Sequence, residues 1–206
     1  MQLSKMVDSN RITGEHLAPY LRNVDVQWDR INTEALPEMD FPPHDRERYR
    51  LRRGDLLVCE GGEGGQCATW ESPIPECFYQ KALHRLRPLK QSEHPRFLYY
   101  CLRAAARAGL FTAEGNPNTI DHLTAEKLKK HRFPFPTSAE QSQIASALDR
   151  ETARIDIIIA TTREQVAKFH EYRTALISAA VTGKIDVCDH RAASAEFDEH
   201  SQADEH

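Results

Sequence analysis

Between Ser138 and Gly183 the sequence contains neither proline nor glycine, and its apolar residues fall on one helical stripe. Ile144, Leu148, Ile155, Ile158, Ile159, Val166, Phe169, Leu176, Ile177 and Ala180 recur at spacings of three, four or seven, flanked by Arg150, Glu151, Arg154, Arg163, Glu164, Lys168, Glu171 and Arg173. The start is written in Pro136-Thr137-Ser138-Ala139-Glu140-Gln141. There Ser138 is expected to cap the amide three residues on, Gln141 to return the bond, and Pro136 to sit just outside. Gly183 suits the left-handed residue that closes a helix. A helix of about 44 residues is ~65 Å long at ~1.5 Å per residue, a length no small core can cover. The stripe therefore predicts a second helix packed along it. Thr152, Thr162 and Arg173 near the seam exclude a clean leucine zipper. A partner helix of related sequence packed antiparallel fits the pattern at least as well as a parallel dimer.

Ahead of this helix the pattern is mixed. Tyr20 to Val26, Asp55 to Cys59 and Ala82 to Leu86 alternate or run apolar as strands do, separated by Pro, Gly and Asp/Asn clusters. Pro95 to Ala108 reads as a helix with proline in its first turn and Gly109 as its stop. Thr124 to Lys130 reads as a second, short helix leading into an extended Arg132-Phe133-Pro134-Phe135-Pro136 strand. With 206 residues and a 40% hydrophobic content, the chain can bury a sizeable core. The expected architecture is a mixed α/β (α+β) domain over residues 1–136, a long spacer or dimerisation helix over 137–185 in an antiparallel coiled-coil-like pair, and a disordered acidic tail over 186–206.

Charge is unevenly spread. The total is -4, yet residues 44 to 132 carry an excess of five basic groups and the tail an excess of six acidic ones. The basic residues come in bursts: Arg46, Arg48, Arg50, Arg52 and Arg53; Lys81, His84, Arg85 and Arg87; Lys127, Lys129, Lys130, His131 and Arg132. If the first burst is extended, its even positions share one edge suited to phosphates or guanine. Arg22, Arg46, Arg48, Arg50, Lys81 and Arg85 are the candidate DNA-binding residues, with Tyr49, Phe78 and Tyr79 as neighbouring aromatics.

Other functions find little support. Gly61-Gly62-Glu63-Gly64-Gly65 is followed by Gln66-Cys67-Ala68, not by the Lys-Ser/Thr or the spacing that a phosphate loop needs, and reads as a hairpin or bulged loop. Asn116-Pro117-Asn118-Thr119 lacks the second proline and the aromatic that would hold a flipped base, and reads as a turn. No Asp is followed at short range by Glu-x-Lys as a metal-dependent nuclease requires, so no catalytic residue and no metal site is expected. The five cysteines, Cys59, Cys67, Cys77, Cys101 and Cys188, include no Cys-x-x-Cys pair and read as reduced thiols. The tail histidines His190, His200 and His206 read as part of a solvated segment. No apolar run approaches the ~20 residues of a membrane span, and Met1 to Asn10 lacks a signal peptide's apolar run, so a cytoplasmic location is expected.

Several stretches together resemble the repeat unit of type I restriction-modification specificity subunits. They are Ala18-Pro19-Tyr20-Leu21-Arg22-Asn23-Val24; Leu51-Arg52-Arg53-Gly54-Asp55-Leu56-Leu57-Val58; Gln80-Lys81-Ala82-Leu83-His84-Arg85-Leu86; Phe97-Leu98-Tyr99-Tyr100; and Phe133-Pro134-Phe135-Pro136. More specific are Glu140-Gln141-Ser142-Gln143-Ile144-Ala145, Leu148-Asp149-Arg150-Glu151-Thr152-Ala153-Arg154-Ile155-Asp156, and Tyr172-Arg173-Thr174-Ala175-Leu176-Ile177 onward to Asp186. The resemblance implies a non-catalytic subunit whose recognition domains each read half of a split DNA site, held apart by long antiparallel helices. It also implies that methyltransferase and restriction subunits supply the chemistry, so S-adenosylmethionine, ATP and Mg belong to them and this chain holds no cofactor. The family's subunit is about twice as long, with two such repeats, and the opening before Lys5 is shortened here. The chain is therefore expected to be a half-subunit pairing with a copy of itself or another half, or a truncated remnant. The alternative is a coiled-coil interaction protein or decoy that binds the methyltransferase without specific DNA binding.

Overall fold

The computed structural model describes residues 14–88, 93–111 and 122–186. The expected turn at Asn116–Thr119, the expected disorder from 187 onward, Cys188 and the residues before 14 lie outside them. The chain divides into two units, Met1–Leu148 and Asp149–His206.

In the first unit the elements are β1 (Leu17–Leu21), a 3-10 turn (Asn23–Asp25), β2 (Val26–Gln27), β3 (Arg30–Ile31), β4 (Glu38–Asp40), α1 (Pro43–Tyr49), β5 (Leu56–Cys59), β6 (Cys67–Thr69), β7 (Phe78–Tyr79), β8 (Leu83–Leu86), α2 (Pro95–Arg107), α3 (Ala125–Lys130) and the start of α4 (Ser138–Val181). One three-stranded sheet has the order β4-β1-β7 and another β6-β5-β8, and β2 and β3 form a hairpin. β1 runs antiparallel to β4 and parallel to β7. Pro19 lies where the β4 ladder ends and the β7 ladder begins, a position at which a missing amide costs little.

β5 explains why a short run of four apolar residues can be a central strand. Successive side chains point to opposite faces. Leu57 and Cys59 enter the core formed with β1, β4 and β7, whereas Leu56 and Val58 enter the core formed with α2 and α3. Both faces are covered, so no alternation with polar residues is needed. The first core is closed by Phe41 stacked on Phe78 at 4.0 Å and by the buried Trp70. The second is closed by Tyr99, Leu102, Phe111, Leu123 and Leu128.

The expected helices Pro95 to Ala108 and Thr124 to Lys130 and the strands Asp55 to Cys59 and Ala82 to Leu86 recur with boundaries moved by a few residues, whereas the expected strand Tyr20 to Val26 is split, β1 ending at Leu21 and a 3-10 turn at Asn23–Asp25 preceding β2. α2 starts at Pro95 and stops before Gly109, which takes φ +72. α3 is capped by Thr124, whose hydroxyl accepts from the Lys127 amide at 3.3 Å. The glycine run joins the antiparallel β5 and β6, as a hairpin loop should. Gly65 there has φ +83, and a Cβ on it would fall 2.5 Å from the Phe111 ring, so the close approach that demands glycine is to the protein's own side chain.

Three further expectations are corrected. The Arg46–Arg50 stretch is not extended, because Pro43 opens a helix there, with Asp45 in its first turn and Arg46 and Arg48 in its last. Residues 132–136 join no strand among the described residues, because Pro134 and Pro136 remove the amides a ladder would use. The cap of α4 also lies one residue earlier than expected. Glu140 Oε2 accepts from the Thr137 amide at 2.9 Å and its hydroxyl at 2.7 Å, while the Glu140 amide points back at the Thr137 hydroxyl at 3.4 Å. Gln141 instead turns inward. Its Nε2 donates to the Pro136 carbonyl at 2.8 Å, and its Oε1 accepts from the His94 amide at 3.0 Å.

α4 is 44 residues long. At its end Gly183, with φ +69, donates to the Ala180 carbonyl at 3.2 Å, and Lys184 donates to the Ala179 carbonyl at 2.8 Å, the paired bonds of a glycine-closed helix. Among the described residues no helix is long and apolar enough to cross a membrane.

Candidate nucleic-acid interface

The chain leaves α1 through Arg50 and Arg52, turns at Gly54 (φ +87) and enters β5 through Asp55. Asp55 is 1% exposed, and its carboxylate is fully used. It accepts the Arg52 amide at 2.8 Å and two bonds from Arg87, Nε at 2.6 Å and Nη2 at 2.7 Å. That fork is the strong, planar form of an arginine–carboxylate pair, and the bond to Asp55 raises the Arg87 pKa. Arg85 joins the same corner from β8 by donating to the Arg50 carbonyl at 3.0 Å, and Arg87 Nη2 reaches that carbonyl at 3.1 Å. Asp55 thus holds Arg87 by its side chain and Arg52 by its amide, while Arg85 and Arg87 meet at the Arg50 carbonyl and the Arg50 and Arg52 guanidiniums turn to the Pro75 carbonyl and to Glu47.

The six candidate residues separate by environment. Arg85 is 5% exposed, with its guanidinium 5.3 Å from the Tyr79 ring centre, and burial lowers its pKa. It serves the core and is corrected as a surface candidate. Leu83, His84 and Arg85 of β8 are all buried, so neither face of the strand opens Arg85 to water. Arg46 donates to Glu76 at 2.6 Å and to the Phe41 carbonyl at 3.0 Å, which ties the end of α1 to the first core. Arg22 forks onto Asp25 at 3.0 and 2.8 Å, leaving 40% of its side chain exposed. Burial alone would raise the Asp25 pKa, but the side-chain and backbone bonds from Arg22, with its charge, outweigh that and hold it low. Arg48, Arg50 and Lys81 are exposed. Arg48 lies over the Tyr49 ring at 5.3 Å, and Arg50 Nη2 donates to the Pro75 carbonyl at 3.3 Å. Arg52 and Arg53 are exposed beside them, paired with Glu47 and with Glu71.

A second cationic cluster is absent from the sequence reading. Arg96 and Arg103 of α2 bracket Tyr99 and Tyr100, on the i, i+3, i+4, i+7 face of the helix. Arg96 forks onto Asp29 at the tip of the β2–β3 hairpin and lies 4.5 Å from the Tyr99 ring and 5.1 Å from that of Tyr100. Arg103 donates to the Tyr99 hydroxyl at 2.5 Å and approaches Trp28 at 6.0 Å. These contacts clamp the hairpin to α2. The signal was present as two arginines spaced around an aromatic pair. On α3, Lys129 and Lys130 are exposed, with Arg132 just beyond them, and His131 packs edge-on against Phe111 at 4.9 Å.

The proposed pairing residues are all on α4. Ile144, Leu148, Ile155, Ile158, Ile159, Val166, Phe169, Leu176 and Ile177 are exposed in the single chain, from 38% for Leu148 to 71% for Phe169. On a helix turning ~100° per residue they occupy an arc of about 100°. Ile144 and Leu148 also line an open groove of about 580 Å³ with Phe97, Tyr100, Phe135 and Pro136.

Cys59, Cys67 and Cys77 are buried free thiols. Burial pushes Cys59 and Cys77 up to about 12 and Cys67 higher still, which keeps them protonated and inert. Among the described residues no three His, Cys, Asp or Glu side chains gather as metal ligands.

Residues 41–168 match the family model of the Type I restriction modification DNA specificity domain. The type I restriction enzyme EcoBI specificity subunit of Escherichia coli is 29% identical over 139 residues, which is 68% of this chain and 28% of that protein. The HsdS subunit from Thermoanaerobacter tengcongensis superposes with a TM-score of 0.60 at 19% identity, over 89% of this chain and 42% of that one. A chain from a structure concerned with complex assembly and conformational transition of the type I R-M system gives 0.65 at 18% identity, over 86% and 42%. The chain thus spans less than half the length of each of these proteins, and the two structures share its fold of a mixed domain followed by a long helix.

Proposed function

The chain belongs to the type I restriction modification DNA specificity domain family, and from that premise we propose that it reads one half of a split DNA site. In this reading residues 1–136 form the recognition domain. Its exposed Arg48, Arg50 and Lys81 contact phosphates and base edges, and Asp55 and Arg87 fix the corner from which the arginines project. Phosphate contacts supply affinity and register, and the few guanidiniums that reach base edges supply sequence. Residues 137–185 form the spacer, whose exposed stripe is covered by a second helix. The recognition domain and the spacer together dock modification and restriction subunits, which perform the chemistry with their own cofactors; this chain contributes none.

The observation that carries this reading is the continuity of the family match, which runs from Phe41 to Lys168 and so takes in both the arginine corner and more than half of α4. It is tested by binding the purified chain, alone and with a methyltransferase subunit, to a library of split duplex sites at several salt concentrations. The expected result is enrichment of particular half-sites, with affinity falling steeply as salt rises. Tight binding to the methyltransferase without any enrichment would replace this reading with that of a protein-binding module.

A further inference from the structure

Three loops of the first unit meet at the Cys59 end of β5, the end away from the arginine corner. The Cys59 amide donates to the Gln66 carbonyl at 2.7 Å, the Glu60 amide to the Ala82 carbonyl beside Lys81 at 2.9 Å, and Asn23 Nδ2 to the Gly61 carbonyl at 3.0 Å. The β2–β3 hairpin packs on β6 at this end, with the Asp29 amide donating to the Cys67 carbonyl at 3.1 Å. In the hairpin Val26 pairs with Ile31 and turns inward, so the next pair, Gln27 and Arg30, faces out, and both are exposed. Arg30 makes no ion pair among the described residues.

The outward face of the hairpin continues into the glycine loop through a chain of amides. Gln27 Nε2 donates to the Val24 carbonyl at 3.3 Å, and Gln66 Nε2 donates to Gln27 Oε1 at 3.0 Å. A carbonyl can only accept, so the bond to Val24 fixes which way the Gln27 amide is turned, and Gln27 in turn fixes Gln66. Gln66 is left with its oxygen and one N–H, an acceptor and a donor side by side, with no other partner among the described residues. On its major-groove edge adenine offers the complement, the N7 acceptor beside the N6 amino donor, and no other single base does. The frame around this amide is tied down on both sides. Asp29 takes the fork of Arg96 and Trp28 packs edge-on against Tyr99 at 6.3 Å, while Gly65, confined to glycine by the Phe111 ring, sets the turn into Gln66. A two-stranded ribbon fits a major groove about 12 Å wide, and side chains already held in place lose little freedom on binding.

We propose that the β2–β3 hairpin and Gln66 form a base-reading edge of the domain. Gln66 takes one adenine of the half-site in a bidentate pair, Gln27 is the positioning residue that turns its amide, and Arg30 grips a flanking phosphate. The inference rests on the DNA-recognition reading above and deepens it, adding an amide to the guanidiniums as a source of sequence.

The test uses the full chain in complex with methyltransferase, without S-adenosylmethionine. Half-sites are selected with the parent, and each adenine in them is then replaced in turn by 7-deazaadenine, which lacks only the N7 acceptor and leaves the protein unchanged. One replacement should weaken binding of the parent by about tenfold or more, and Gln66→Ala should bind adenine and 7-deazaadenine equally well at that position. Gln27→Ala should lose most of the preference there and keep it at every other position, whereas a damaged fold would lower all positions together. Arg30→Ala should keep the selected sequence and lose about one phosphate contact of salt dependence. Half-sites with no fixed adenine, parent binding that no 7-deazaadenine weakens, or a Gln66→Ala chain that still discriminates at the sensitive position would overturn the proposal and leave the recognition reading standing. A parent that selects no half-site overturns both.

Discussion

At the scale of single residues, the same side-chain type performs two kinds of work, and burial decides which. Arg85→Ala removes a buried cation bonded to the Arg50 carbonyl, and should cost about 2–4 kcal/mol in denaturant unfolding. Arg50→Ala, at an exposed position, should leave stability within about 0.5 kcal/mol, weaken DNA binding, and lower the salt dependence of binding by roughly one phosphate contact. Gly65→Ala should destabilise by about 1–3 kcal/mol, since its φ is +83 and the new methyl would meet the Phe111 ring. Asp25 provides a pH test. Its carboxyl is held below the ordinary value in the folded chain, so its contribution is present above the unfolded pKa near ~3.9 and is lost as pH falls through the lower folded pKa. Acid unfolding curves of Asp25→Asn and of the parent should therefore converge as the pH drops below about 4; curves that stay parallel would remove Asp25 from the acid response. The basic bursts were legible as charge, but their roles were not. Alternation at Arg46, Arg48 and Arg50 looked like a strand edge, yet Pro43 opens a helix there, and the alternation of β8 gave no hint that both its faces are covered.

At the scale of elements, the ends of α4 were the most legible part of the chain, because caps are local chemistry. Gly183 closes the helix as its position implied. The start was displaced by one residue because Thr137-x-x-Glu140 and Ser138-x-x-Gln141 fit the same pattern, and a carboxylate is the stronger acceptor for the amide and hydroxyl it faces. Thr137→Ala should therefore cost about 1 kcal/mol of thermal or chemical stability, and Thr137→Ser, which keeps the hydroxyl, should cost less than half of that. An equal loss in the two variants would remove the cap from the Thr137 hydroxyl. β5 was found because its apolar run is bounded by turn residues. The two-residue strands β2, β3 and β7 were not isolated, because so short a segment has no period and is held by its partners. The arginine–aromatic face of α2 was missed for a related reason. Its meaning depends on Trp28 and Asp29, which only the fold brings to it.

At the scale of the whole molecule, the account joins a recognition domain to a spacer of fixed pitch. The net charge of -4 averages over an uneven chain, because residues 44–132 carry five more basic than acidic groups while residues 186–206 carry six more acidic than basic ones. The exposed stripe along α4 is a liability for a lone chain and a seam for a paired one. If α4 sets the distance between two half-sites, lengthening it must lengthen the DNA between them by a calculable amount. Seven residues inserted after Thr162 add two helical turns, keep the stripe in phase, and extend the rod by ~10 Å, which is about three base pairs at ~3.4 Å each. The most direct measurement is to select bound duplexes from a randomised pool with the parent and with the lengthened chain, each in complex with methyltransferase. The account predicts the same half-sites with a spacer about three base pairs longer; half-sites recovered at the parent's spacing would contradict it.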